Sequence, residues 1–301
     1  MGYEQLTQMG FIHEFKEVSE GSHPSKFCFV LGAGASKSSG IKMGQELVEI
    51  WERELHERNE QGYLEWKNRL KITDENKYSF YSQYYEERYK KRPIDGLNFL
   101  EKMMEHVSPN VGYVVLSHIM TTTIHNVVIT TNFDHLTEDA VNNYAHTLPL
   151  IIGHESLSHY ISNQIMRPTI IKIHRDLLFD PKNTVAEVEN LHEAWKTALG
   201  IIFSEYHPVF VGYAGNDNSL MNFLIDNSEK FECGDWKFPY WTLYETEVPN
   251  KKVKEFLDKA GGYCISCNGF DVLLCLLGAE LGYKMPTEQT FLEDARNRYH
   301  K

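Results

Sequence analysis

Phe27-Cys28-Phe29-Val30-Leu31-Gly32-Ala33-Gly34-Ala35-Ser36 is the stretch whose reading decides the fold. Its first five residues form a continuous apolar run, the pattern of a parallel strand buried on both faces. Small residues follow at once, and a glycine-rich turn after such a strand lets backbone N–H groups approach a pyrophosphate near a helix N-terminus. The spacing departs from G-x-G-x-x-G, because Lys37 stands at the third position and no second strand ending in an acidic residue comes about 20 residues later. A tight strand-to-helix turn without a ligand also suits these residues.

Working outward, Asn126–Thr130, Thr169–Ile173 and Pro208–Val211 are short, apolar or β-branched runs that each end at a polar or glycine-rich turn. Trp241–Tyr244 and Tyr263–Ser266 complete the expected sheet, and Gln45–Glu60, Val188–Phe203 and Leu220–Glu229 have helical spacing. The alternation predicts an α/β, Rossmann-like, mostly parallel sheet with helices on both faces. Residues 61–120 are rich in long polar and aromatic side chains and lack strand alternation, so they read as a helical insertion whose helices Pro93 and Pro109 separate. With no repeat, low-complexity tract or linker, residues 1–301 are expected to form one domain carrying that insertion.

The composition, 42% hydrophobic and 24% charged, is that of an ordinary soluble globular protein. No stretch approaches the roughly 18 consecutive apolar residues of a bilayer helix. Met1–Gln8 lacks the order of a signal peptide, and the expected location is the cytoplasm. Of five cysteines, Cys28, Cys264 and Cys275 lie in apolar runs, where reduced buried thiols are expected. A net charge of −12 argues against direct binding of nucleic acid.

Three further motifs carry chemistry. Thr130-Thr131-Asn132-Phe133-Asp134 stands at the C-terminal end of an apolar strand, where open α/β sheets hold ligands. Its Asn suits a ribose hydroxyl or a water and its Asp suits hydroxyls, although an Asn/Asp helix cap fits equally. Lys172-Ile173-His174-Arg175-Asp176 ends another strand, which raises His174 above the other histidines of the 14. Val209-Phe210-Val211-Gly212-Tyr213-Ala214-Gly215-Asn216-Asp217 runs an apolar strand into a third turn.

In this order, Gly32-Ala33-Gly34-Ala35-Ser36, Thr131-Asn132-Phe133-Asp134, Ile173-His174-Arg175-Asp176 and Gly212-Tyr213-Ala214-Gly215-Asn216-Asp217 resemble the motif series of the sirtuin superfamily. The match is closest to the sirtuin-like NAD hydrolases of bacterial anti-phage defence, over about residues 26–280. The resemblance implies NAD binding by Gly32 to Ser36 and by Gly212, Tyr213, Gly215, Asn216 and Asp217. It places Thr131 and Asp134 in the pocket, makes Asn132 the residue that contacts the nicotinamide ribose and places water, and makes His174 the base. Phe270, after Gly269, would supply the adenine-end wall.

Arg175 stands where the family commonly has Gly, and Ala214 where deacetylases present Ser. The paired C-x-x-C zinc module of sirtuin deacetylases is not expected: only Cys264-Ile265-Ser266-Cys267 has the spacing, and four ligands are needed. No metal is predicted.

The expected activity is hydrolysis of the nicotinamide–ribose bond to nicotinamide and ADP-ribose, in a gated NAD-depleting effector of abortive infection. The alternatives are an NAD-dependent protein deacylase and a non-catalytic module that senses NAD or ADP-ribose. Gating is expected from a homo-oligomer or from an activating partner such as a helicase-like ATPase or an Argonaute-type protein, contacting the insertion or Thr287–Lys301.

Overall fold

Lys26–Leu31 forms β2, at the centre of an eight-stranded sheet. The structure is a computed structural model and describes residues 2–175 and 191–285, together with Arg296. The other strands are β1 (Glu4–Thr7), β3 (Val127–Thr130), β4 (Leu150–Ile152), β5 (Thr169–Lys172), β6 (Tyr206–Val211), β7 (Tyr240–Tyr244) and β8 (Tyr263–Cys267). Their order is β1-β8-β7-β6-β2-β3-β5-β4, with parallel pairing throughout. From β2 the chain moves first towards β3 and later crosses to β6 on the other side, so the topological switch point lies between β2 and β6. Ligands of open α/β sheets bind at that crevice.

The helices described are α1 (Gln8–Glu20), the single turn α2 (Ala33–Ser36), α3 (Gly44–Arg58), α4 (Glu60–Arg69), α5 (Tyr81–Tyr89), α6 (Pro93–Met104), α7 (Val111–Thr122), α8 (Leu136–Asn143), α9 (Glu193–Glu205), α10 (Asn218–Asp226), α11 (Ser228–Glu232), α12 (Lys251–Ala260) and α13 (Phe270–Glu280). Side chains alternate across a strand, so β2 is apolar without interruption because both faces are covered. Phe27, Phe29 and Leu31 enter a core shared with α1, α7, α8 and α13. Cys28 and Val30 enter the core beneath α9, α10, α11 and α12. The fold is α/β and Rossmann-like, with helices on both faces.

A third core stands apart from the sheet. Leu47, Val48, Trp51, Tyr63, Trp66, Tyr84, Tyr89 and Leu100, from α3 to α6, pack together, and Phe133 packs against them. The helical insertion therefore has other bounds than 61–120. α3 belongs to its core, whereas α7 buries Tyr113, Leu116, Ile119 and Met120 against the sheet.

Other boundaries also shift. The helix expected over Gln45–Glu60 ends at Arg58, because the Asn59 side chain accepts from the Gly62 N–H and starts α4. Leu220–Glu229 divides at Asn227 into α10 and α11. β1, α1 and β4 were not anticipated, and α1 precedes the glycine turn that was expected to open the first helix. The start of the Val188–Phe203 helix, Asp176 and nearly all of Thr287–Lys301 lie outside the described residues.

Candidate active site

The sheet brings the four motifs to one edge by register. Leu31 lies opposite both Thr130 and Val211, and Thr130 lies opposite Lys172. β6, β2, β3 and β5 therefore end in step, and the turns that begin at Gly212, Gly32, Thr131 and Ile173 share their C-terminal edge.

Between β2 and β6 the two glycine turns touch backbone to backbone. The Gly34 N–H donates to Gly212 O at 2.9 Å, and the Ala35 N–H donates to Gly32 O at 3.0 Å. A Cβ on Gly32 would lie 2.5 Å from Tyr213 Cα, and one on Gly212, where φ is +64°, would lie 2.3 Å from Ala35 N. Only glycine fits at either position. Ala33 is exposed, whereas Ala35 and Ser36 are buried.

Ser36 is the node of a polar network. Its hydroxyl donates to Asp134 Oδ2 at 2.7 Å and receives the Asn132 Nδ2 amide at 3.0 Å. With its single proton on the carboxylate, it accepts from the Tyr113 hydroxyl at 2.7 Å. The second Asn132 amide hydrogen goes to Gly32 O at 3.1 Å, and the Asn132 backbone N–H to Thr130 Oγ1 at 3.0 Å. A flipped amide would set Oδ1 against the Gly32 carbonyl, so the orientation is fixed and Oδ1 is left to accept from a ligand. Thr131, half-buried, is tied by its N–H to Leu31 O at 3.1 Å.

Asp134 was expected to meet ligand hydroxyls. Its Oδ2 instead accepts from Ser36, its Oδ1 accepts from the Leu136 N–H at 3.2 Å, and burial raises its pKa above the ordinary carboxylate value. It meets the first N–H of α8 and orders Ser36, and thereby acts on Asn132 at one remove. Burial likewise carries the Tyr113 phenol well above its usual range, keeping it a donor. Tyr113 was not singled out from the sequence, where α7 read as part of the insertion.

His174 is buried, with Nε2 3.0 Å from Ser219 Oγ and 3.8 Å from Asp217 Oδ1. Ser219 donates to Asp217 Oδ1 at 3.0 Å, so the hydroxyl accepts from the ring and the neutral imidazole carries its proton on Nε2. Asp217 also caps α10 through the Leu220 N–H at 2.8 Å and receives the Tyr213 hydroxyl. Ser219 was missed from the sequence; its signal is a hydroxyl two residues beyond the Asp at a helix start.

Arg175 adopts φ of +69°, the left-handed region that favours glycine. It is held by two contacts to Glu155, Nη2 to Oε1 at 2.6 Å and Nε to Oε2 at 3.0 Å.

Other expected residues are placed differently. Tyr213 is buried, whereas Asn216 and Ala214 are exposed, and Asn250 Nδ2 donates to Ala214 O at 2.7 Å. Gly215, at φ of +69°, packs beneath Val253. Phe270 turns into the core, its ring 4.8 Å from that of Tyr113, so it is not an exposed adenine wall; Tyr244 is the exposed ring beside Gly269. Cys264 and Cys267 are three apart on β8, and alternation sends them to opposite faces. Among the described residues no group of His, Cys, Asp or Glu is arranged to hold a metal ion, and no helix is long and apolar enough to cross a membrane.

Residues 126–265 match the family model of the SIR2-like domain. Over that span the chain is similar to a SIR2-like domain. The matched span contains the turns of Asn132, His174 and Gly212, and β2 with its glycine turn precedes it. The fold is similar to that of a Sir2 homologue in complex with NAD, with a TM-score of 0.51 and 13% identity over 94% of this chain and 97% of that one. It is also similar to a Sir2 variant with a deacetylated p53 peptide and 3′-O-acetyl-ADP-ribose, with a TM-score of 0.52 and 14% identity over 93% of this chain and 100% of that one. At these identities the likeness is one of fold. No curated protein sequence is a match to this chain.

Proposed function

We propose that this protein binds NAD across the β6–β2–β3–β5 edge and hydrolyses its nicotinamide–ribose bond, with Asn132 and His174 as the catalytic pair. The observation that carries the reading is the arrival of Asn132 and His174 on adjacent strands, β3 and β5, at the edge that also holds the Gly32–Ser36 and Gly212–Asp217 turns. The match to the SIR2-like domain and the likeness in fold to a Sir2 homologue in complex with NAD support the ligand.

The chemistry needs little acid help. The C1′–N bond breaks with its electron pair going to nicotinamide, which leaves neutral; a water oxygen bonds to C1′, and one water proton must depart. Asn132 Oδ1 holds a ribose hydroxyl or that water, and Ser36, itself ordered by Asp134 and Tyr113, fixes the amide. His174 takes the proton. Asp217 steadies the imidazolium through Ser219, in the way a buried carboxylate orients a catalytic imidazole. The remaining work is orientation and electrostatic complementarity.

Unrestrained hydrolysis would exhaust the host's NAD, so full activity waits on self-assembly or a protein partner, as befits an effector of anti-phage defence. Product analysis tests the reaction. Equal amounts of nicotinamide and ADP-ribose, formed without any peptide and faster per chain at higher protein concentration, are expected. Release that requires an acetyl-lysine peptide and yields O-acetyl-ADP-ribose would show a deacylase instead.

A further inference from the structure

Lys172, the last residue of β5, is a lysine with no solvent exposure at all. Its Nζ lies 2.8 Å from Glu138 Oε1 of α8, itself buried, and donates to the Asp134 carbonyl at 2.7 Å. It also lies 3.4 Å from the Phe133 carbonyl and 3.4 Å from His135 Nδ1. These partners come from the loop between β3 and α8 and from α8 itself, and that loop carries Asn132. Lys172 stands two residues before His174 and opposite Thr130 in the sheet.

We propose that the buried Lys172–Glu138 pair is a positioning clamp that fixes the Asn132 loop against the strand delivering His174, and so sets the separation of the two catalytic side chains. The inference rests on the hydrolase reading for its kinetic part, and on geometry alone for the clamp.

Stability does not account for such a pair. Withdrawing two charges from water costs several kcal/mol per ion, and well-packed apolar residues in place of a buried pair are often neutral or stabilising. What the ammonium supplies, and a methylene does not, is direction: N–H groups aimed at the carbonyls of two successive loop residues, with the Glu138 carboxylate set against the charge. The same loop is held at its other end by Thr130 Oγ1 on the Asn132 N–H, and by Gly32 O and Ser36 on the Asn132 amide. Phe133 seats its ring against the helical cluster of α3 to α6. Without the lysine the far end of the loop loses its tie to β5.

The test compares the full-length wild type with the apolar pair Lys172→Met/Glu138→Leu and, as a variant that keeps charge and pairing, with Lys172→Arg, whose planar fork cannot reproduce the contacts of a point ammonium. Hydrogen exchange over residues 131–136 reads the clamp without reference to catalysis; nicotinamide release reads its consequence. We expect exchange there at least tenfold faster in both variants, with the urea midpoint of the apolar pair at or above that of wild type. In an active wild type, kcat should fall at least tenfold while KM for NAD changes less than threefold. If whichever variant folds keeps wild-type exchange over 131–136, the clamp is refuted. Faster exchange with wild-type kcat would refute the catalytic part alone. A wild type that never cleaves NAD would refute the hydrolase reading, while the exchange result still decides the clamp.

Discussion

Arg175 follows His174 with its backbone in the left-handed region, a conformation that costs an ordinary L-residue about 1 kcal/mol. Its paired contacts to Glu155, with both side chains largely withdrawn from solvent, hold it there. Arg175→Ala loses those contacts and keeps the strain, whereas Arg175→Gly loses the contacts and the strain together. In urea denaturation the Ala protein should therefore be less stable than the Gly protein by about 1 kcal/mol. Equal midpoints would contradict the left-handed turn. At this scale the placement of Asn132 and His174 at the sheet edge was legible, because each stands where an apolar run stops, at the C-terminal end of a strand. Their supports were not: Tyr113, Ser219 and Lys172 act through contacts as far apart in sequence as Ser36 and Tyr113, which no local pattern encodes. Lys172 left a trace, a charge inside the run Thr169-Ile170-Ile171-Lys172-Ile173, and Ser219 a fainter one, a hydroxyl two residues beyond Asp217.

Among the elements, two buried histidines make the sheet sensitive to acid. His125, just before β3, accepts the Phe27 N–H on Nδ1 at 3.0 Å and contacts Ser19 through Nε2 at 2.9 Å. His207, on β6, contacts the Phe238 carbonyl through Nδ1 at 3.1 Å. Burial lowers both pKa values to about 4, from an ordinary 6.5. Above pH 6.5 both rings are neutral whether the chain is folded or not. Below it the unfolded chain takes up protons that the folded one refuses until pH 4, so stability is lost across that window, by roughly 3 kcal/mol at most for each ring. The urea midpoint should fall from pH 6.5 to 4, with a shallower fall in His207→Gln; an equal slope in both would contradict this assignment. The long apolar strands were plain from sequence. β1 and β4 were not, because they are strands of four and three residues at the two sheet edges, β1 with mostly exposed side chains. The break at Asn59 was hidden because helical spacing continues on both sides of it. The insertion's boundary was hidden because α7, although continuous in sequence with α3 to α6, serves the sheet core.

For the whole molecule, the decisive feature is that β2, β3, β5 and β6 end together, so that motifs spread from Gly32 to Asp217 meet along one sheet edge at the switch point. Binary pattern sufficed to anticipate that architecture, since alternating strands and helices leave few topologies open. It did not tell which side chains at the edge face a ligand and which, like Asp134 and Phe270, serve the interior. The measurement that bears most directly on the central claim is the initial rate of nicotinamide release from NAD by the purified protein beside Asn132→Ala and His174→Ala, over a range of protein concentrations. The account predicts release by wild type and, in both folded variants, a loss on the order of 10² to 10⁴, the scale of a positioned proton acceptor or polar group. Release by either variant at the wild-type rate would contradict it.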